Sequence, residues 1–263
     1  MYLTTQVKSA IFNKVNLKRI FNLIFVLVLV ISVGCSEKEC PLSPISDGNS
    51  IKGSGNLISE SMDFSSFNYI HIATAGTVNL TQGSTQEVQY TVDDNLQEHI
   101  RMSVSNGILM ISLEIGISVR EMHLTVDVQL PQINELHTSS AGNFIGQNTF
   151  NCDEVRLFSS SAGNIYLNLN ADYLFTHLSS AGNANLSGTV NTHDAIISSA
   201  GCLAAFGLNT DTTHAVLSSA GNAEVAVNNY LNATLSSAGS LYYKGNPMIN
   251  SSVSSLGRII NAN

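Results

Sequence analysis

Residues 179–183 read Ser-Ser-Ala-Gly-Asn, and close copies of this string begin at residues 139, 160, 198, 218, 236 and 254. A catalytic motif is needed once, so recurrence at near-constant spacing marks architecture. The glycines of the copies, Gly142, Gly163, Gly182, Gly201, Gly221, Gly239 and Gly257, are 21, 19, 19, 20, 18 and 18 residues apart. The position two after each glycine is always apolar: Phe144, Ile165, Ala184, Leu203, Ala223, Leu241 and Ile259. Four after and four before are mostly apolar as well, as at Leu167, Leu186 and Val225, and at Leu178, Ile197, Leu217 and Leu235. Even offsets share one face of a strand, so these side chains are expected to point inward.

One such coil cannot bury its apolar face alone, whereas stacked coils build a continuous core. The expected fold is therefore all-β, a right-handed parallel β-helix (solenoid) over residues 132–263, with rungs of 18–21 residues. Seven rungs at about 4.8 Å each form a column of roughly 30 Å. Stacking places equal positions over one another. The serine two before each glycine is expected to form an inward hydroxyl ladder, and the glycine to bend the chain or pack closely. Asn143, Asn164, Asn183 and Asn222 are expected to stack their amides, with breaks at Cys202, Ser240 and Arg258.

Upstream, residues 51–131 alternate in strand fashion and read as a β-rich N-terminal capping region, with a rung-like "TAGTVNL" around Gly76. Only "DDNLQEHI" offers a turn of helix, with Asp94 as the expected cap. Residues 35–50 are polar, carry two prolines and read as a flexible tether. Residues 1–34 hold Lys8, Lys14, Lys18 and Arg19 and no acid, followed by an apolar run ending "SVGC" at Cys35. That order reads as a lipoprotein signal peptide, cleaved before a lipidated Cys35. The run is short of the roughly 20 apolar residues of a spanning helix.

Removing those four cations from the 11 basic residues leaves 7 against 19 acidic, a net charge of about −12. Nucleic acid is excluded as a partner, because binding it rests on Lys and Arg neutralising phosphates. Cys40, Cys152 and Cys202 remain, an odd number that does not suit a disulfide framework; Cys152 and Cys202 read as small, partly buried side chains.

The order "FSSFNYIHIATAGTVNLTQG", "DDNLQEHIRMSVSNGILMISL", "LTVDVQLPQINELHTSSAG" and then the glycine repeats resembles the DUF2807 family, the auto-transporter adhesin head GIN domain. The resemblance covers about residues 51–263. It implies a β-helical fold and a cell-envelope location in a Bacteroidota-type bacterium, and it supplies no catalytic residues.

Other constellations carry less. The repeat serines have no base and acid assigned to any one rung, as a nucleophile requires. His137 and His177 both lie five before their glycines. Phe158 separates them, so they sit about 9.6 Å apart, too far to share a zinc ion whose ligands lie about 2 Å from it. Asp153, Asp172, Asp194 and Asp211 stand 11, 9, 12 and 10 residues after their glycines, out of register for an acidic column, and read as corner residues. The outward place five before glycine forms a candidate binding stripe of His137, Phe158, His177, Ile196 and Val216.

The sequence thus points to an outer-membrane lipoprotein of the cell envelope, periplasm-facing or surface-exposed. It reads as a non-catalytic adhesion or binding module with no cofactor and no metal. Its expected partners are the membrane, through the lipid anchor, and a glycan or protein ligand. The alternatives are a carbohydrate-active β-helix enzyme and a purely structural envelope component. "SSLGRIINAN" keeps the repeat through Ile259 with no cap expected after it, so weak self-association through the C-terminal rung is also expected.

Overall fold

The computed structural model describes residues 50–263; the leader, Cys35, Cys40 and the tether up to Asn49 lie outside the described residues. The first part of the described chain contains β1 (Ser50–Lys52), β2 (Leu57–Met62), β3 (Tyr69–Ile72), β4 (Gly76–Gln82) and β5 (Glu87–Asp93). A 3-10 helix (Asp94–His99) leads to β6 (Ile100–Ser105), β7 (Ile108–Leu113), β8 (Ser118–Arg120) and β9 (Leu124–Leu130). The repeats supply β10 (Glu135–Thr138), β11 (Gly142–Ser159), β12 (Asn164–Leu178), β13 (Asn183–Ile197) and β14 (Cys202–Leu217). The last are β15 (Asn222–Leu235), β16 (Ser240–Lys244), β17 (Met248–Val253) and β18 (Arg258–Asn261).

The repeats form a parallel β-solenoid of about seven turns. β10 to β15 pair successively in parallel, β15 then pairs with both β16 and β17, and β16 pairs with β18. The register is that of the repeat: Phe144, Ile165, Ala184, Leu203, Ala223, Leu241 and Ile259 lie over one another. All but Ile259 are buried. A buried leucine or isoleucine contributes roughly 1.5–3 kcal/mol, so the filled interior is the main source of stability. In β12 the inward set changes from Ile165, Leu167 and Leu169 to Leu174, Thr176 and Leu178. An odd set becoming even marks a corner at Ala171–Tyr173, where the strand bends around the core.

The repeated string turns out to be a tight turn, and this corrects the expected serine ladder. Ser180 and Ala181 have φ of 47° and 59°, and the equivalent pair has positive φ in all seven copies. Gly182 N–H donates to the Ser179 carbonyl at 2.7 Å, closing the turn. Two central residues at positive φ are the mark of a type I′ turn, which suits the twist of β-strands. Ser180 is therefore exposed at the corner, as are its counterparts.

Left-handed backbone costs a non-glycine residue roughly 1–2 kcal/mol, and here each turn is held by its neighbour. Ala181 N–H donates to the Ser199 carbonyl at 3.0 Å, Ala200 to Ser219 at 3.1 Å and Ala220 to Ser237 at 2.9 Å. The ladder at this corner is made of backbone. Hydroxyls do reach the interior one residue earlier than the serine pair, where Thr138 and Ser159 donate to the Gly142 and Gly163 carbonyls at 2.6 Å.

The glycine does not bend the chain; it permits close approach. A Cβ on Gly182 would stand 2.2 Å from the Ser159 carbonyl oxygen of the preceding rung. The amide ladder forms as expected where asparagines adjoin: Asn164 Nδ2 donates to Asn143 Oδ1 at 2.8 Å, and Asn183 Nδ2 to Asn164 Oδ1 at 3.1 Å. The next rung carries Cys202, half-buried and free like Cys152.

β3 and β4 stack on the first repeat, with Gly76 opposite Gly142 and Val78 opposite Phe144. β7 and β9 form a further layer on β3 and β4. There parallel order gives way to antiparallel pairs: β6 on β7, β5 on β9 and β2 on β5. The expected cap Asp94 is also corrected. Asp93 occupies the cap position and makes no capping bond. Its buried carboxylate instead accepts from the Gly55 and His123 amides at 2.8 and 2.7 Å, tying three segments together.

Candidate functional site

Parallel stacking converts sequence offsets into columns, and three outward columns side by side make one chemically distinctive face. Five before the glycines, His137, Phe158, His177, Ile196 and Val216 stack in that order, and His71 of β3 extends the row. His137, Phe158 and His177 are half-buried against one another, while Ile196 and Val216 are 39% and 45% exposed. Ring centroids are 5.0 Å apart for His71 and His137, 5.8 Å for His137 and Phe158, and 6.1 Å for Phe158 and His177. These are edge and tilted contacts of the kind aromatic quadrupoles favour.

The column seven before the glycines holds Glu135, Arg156, Phe175, Asp194 and His214. Phe175 adds a fourth contact to the rings, 5.6 Å from Phe158. In the column nine before, Glu154 and Tyr173 stand next to each other. The Tyr173 hydroxyl donates to Asp194 Oδ2 at 2.7 Å, while Asp194 Oδ1 has no partner. Arg156 clasps Glu154 Oε1 through Nε and Nη2 at 2.9 and 2.7 Å.

Burial pushes the His137 imidazole below its ordinary value, and the neighbouring His71 adds to the shift. Burial alone does the same to His177. Both rings are therefore neutral at neutral pH. The Tyr173 hydroxyl is pushed up by burial and by its bond to Asp194, so it remains a donor.

Where this face meets the corner, a groove of about 540 Å³ is lined by Asn151, Asp153, Asn170, Asp172, Thr189 and Asn191. Its floor is Cys152 and Ala171. Asn170 Nδ2 donates to Asn151 Oδ1 at 3.1 Å and Asn191 Nδ2 to Asp172 Oδ1 at 2.8 Å, which fixes the side chains across successive rungs. Burial raises the Cys152 thiol to about 11, so it is no nucleophile at neutral pH. Among the described residues no three His, Cys, Asp or Glu side chains gather as metal ligands.

Offsets counted from the preceding glycine hide the acidic register, because rung length varies between that glycine and the column. Counted back from the following one, Asp153, Asp172, Asn191, Asp211 and Asn229 all stand ten before it. Rung length varies mainly ahead of that column, where the pairing shifts between Ile145 and Thr149, Asn185 and Ser187, and Ala205 and Asn209, with one further shift between Thr210 and Thr212. Asp194 stands apart from that column, seven before its glycine.

The DUF2807 family, described as "Putative auto-transporter adhesin, head GIN domain", matches residues 66–247. A "putative adhesin" from Bacteroides fragilis NCTC 9343 is 25% identical with a TM-score of 0.74, covering 80% of this chain and 99% of its own. Another "putative adhesin", from Parabacteroides distasonis ATCC 8503, is 22% identical with a TM-score of 0.67 over 81% of this chain and 100% of its own. A "putative lipid binding protein" from the same strain is 20% identical with a TM-score of 0.67 over 82% of this chain and 100% of its own. A search of curated proteins found no significant match. With the glycine-repeat solenoid, its stacked β3–β4 rung and a family match over most of the chain, the protein belongs to the DUF2807 family.

Proposed function

We propose that the chain is a lipid-anchored cell-envelope protein whose solenoid is a non-catalytic adhesion or binding module. The observation that carries this reading is the outward face of stacked rings bordered by a polar groove, presented by an in-register scaffold. Family membership and the likeness to the Bacteroides fragilis "putative adhesin" structure support it. In this proposal residues 1–34 are the leader, 35–50 the tether, 51–131 the cap and 132–263 the binding column.

Beads loaded with the purified full-length chain test the binding reading on surfaces coated with matrix proteins or polysaccharides. Retention on at least one coat, without release of a soluble product, is expected. Failure on every coat, or accumulating product, would count against it, the latter in favour of an enzyme. The anchor is tested separately by Cys35→Ser. The variant should move from the detergent phase to the aqueous phase, and unchanged partitioning would remove the lipidation claim.

The proposal includes weak pairing of two copies through the last described rung. There Ile249 and Val253 repeat the inward positions of Leu231 and Leu235, yet they are 42% and 48% exposed. Ile259→Lys should suppress association at high concentration by placing a charge on that apolar edge. Sedimentation that shows a monomer at every concentration, with or without the substitution, would end this part of the reading.

A further inference from the structure

We infer that the groove and the ring face beside it form one binding site for an extended, uncharged polysaccharide running along the solenoid axis. This rests on the binding-module reading and names its ligand class. Sugar rings present C–H faces that pack on aromatic rings, and hydroxyls that pair with side chains offering both donors and acceptors. The site holds both kinds of group side by side: Asp172 faces the groove, and Tyr173, the next residue, begins the ring face with Phe175 and Phe158.

Repetition matches the ligand. Rungs recur about every 4.8 Å, close to the length of one sugar in an extended chain. Asn151 with Asp153, Asn170 with Asp172, and Thr189 with Asn191 therefore offer nearly the same pair of polar groups to successive sugars. The amides and carboxylates already bond to one another between rungs, so little side-chain freedom is lost when a ligand docks.

Other ligand classes fit less well. The charged groups lining the groove are Asp153 and Asp172, and the nearby Arg156 is paired with Glu154, so an acidic polymer meets like charge. A lipid chain needs an apolar cavity, whereas this groove has polar walls and the solenoid interior is filled with side chains. A protein partner centres on a few large anchors packed in a desolvated pocket, whereas the half-buried Phe158 and Phe175 border a groove lined by Asn, Asp and Thr side chains.

The test is titration of the purified full-length chain with cellohexaose, chitohexaose, mannohexaose, xylohexaose and hexagalacturonate. At least one neutral hexasaccharide should bind, and its disaccharide, spanning fewer rungs, should bind far more weakly. Tyr173→Ala and Asn170→Ala should each reduce affinity on the order of tenfold. Tyr166→Ala, which removes an exposed ring from the other half of the rung, should not. Tyr173→Phe retains the ring and guards against a folding artefact, and it should lose less than Tyr173→Ala. No binding of any neutral hexasaccharide, preference for hexagalacturonate, or equal loss from Tyr166→Ala overturns the inference. Bead retention on a protein coat together with silence toward every sugar would leave the binding module standing and this ligand class refuted.

Discussion

Gly182→Val should lower the melting temperature by roughly 8–16 °C, the equivalent of about 4 kcal/mol in a domain of this size. Gly182 sits buried in a central rung, and its missing Cβ is what lets the Ser159 carbonyl approach. A side chain there meets backbone at 2.2 Å, which no rotamer change relieves. The rung must shift, and the bonds from Ser179 to Ser159 and from Asn183 to Gly163 shift with it. Asn183→Ala, at the adjoining residue, removes the amide's bonds to Asn164 Oδ1 and to the Ala181 carbonyl, neither fully buried, and should cost about 1 kcal/mol. Thermal melts of the two variants separate close packing from side-chain bonding. Equal small losses would mean that the rungs are not packed as described.

Acid should destabilise the protein through His193. This side chain is fully buried; its Nε2 lies 3.0 Å from the Thr176 hydroxyl and its Nδ1 has no partner. Burial lowers its pKa to about 4, against about 6.5 in an unfolded chain. Between those values the unfolded chain takes up the proton and the folded chain does not. The stabilisation is therefore complete above about pH 6.5 and is lost as pH falls toward 4, a change of about 3 kcal/mol. His137 and His177, also lowered by burial, act in the same direction. His193→Leu copies Leu174, its neighbour in the column, and should flatten the dependence. The variant should lie within about 1 kcal/mol of the parent at pH 7 and be the more stable of the two at pH 5, by denaturant melts. An unchanged slope would show that His193 does not titrate in this window.

The rungs were legible because period-two burial and glycine spacing reinforce each other, and the buried Phe144-to-Leu241 column follows from offsets alone. The corner was not. A small-residue string is compatible with glycine bending the chain or with glycine being closely approached. Only the backbone shows Ser180 and Ala181 in the left-handed region and Gly182 outside it. The five-before stripe was readable, and Phe175 and Asp194, at a constant seven before, follow by the same offset; the Tyr173–Asp194 bond and the groove across the corner did not, because strand period says nothing about how outward side chains meet where the chain turns. The order of the layers was hidden for a related reason. β3 and β4 stack on β10 and β11 although five strands intervene in sequence, and β7 and β9 lie on their far side.

Every column that forms the proposed binding face depends on rungs stacked in register, and electron spin distances measure that directly. Spin labels belong on the exposed turn serines, with the native cysteines replaced by serine. Ser140 paired with Ser219, Ser237 or Ser255 spans four, five or six rung steps. Mean distances of about 19, 24 and 29 Å are expected, rising by about 4.8 Å per rung. Distances that fail to grow with the number of rungs would contradict the stacked solenoid, and with it the face on which ligand binding is proposed.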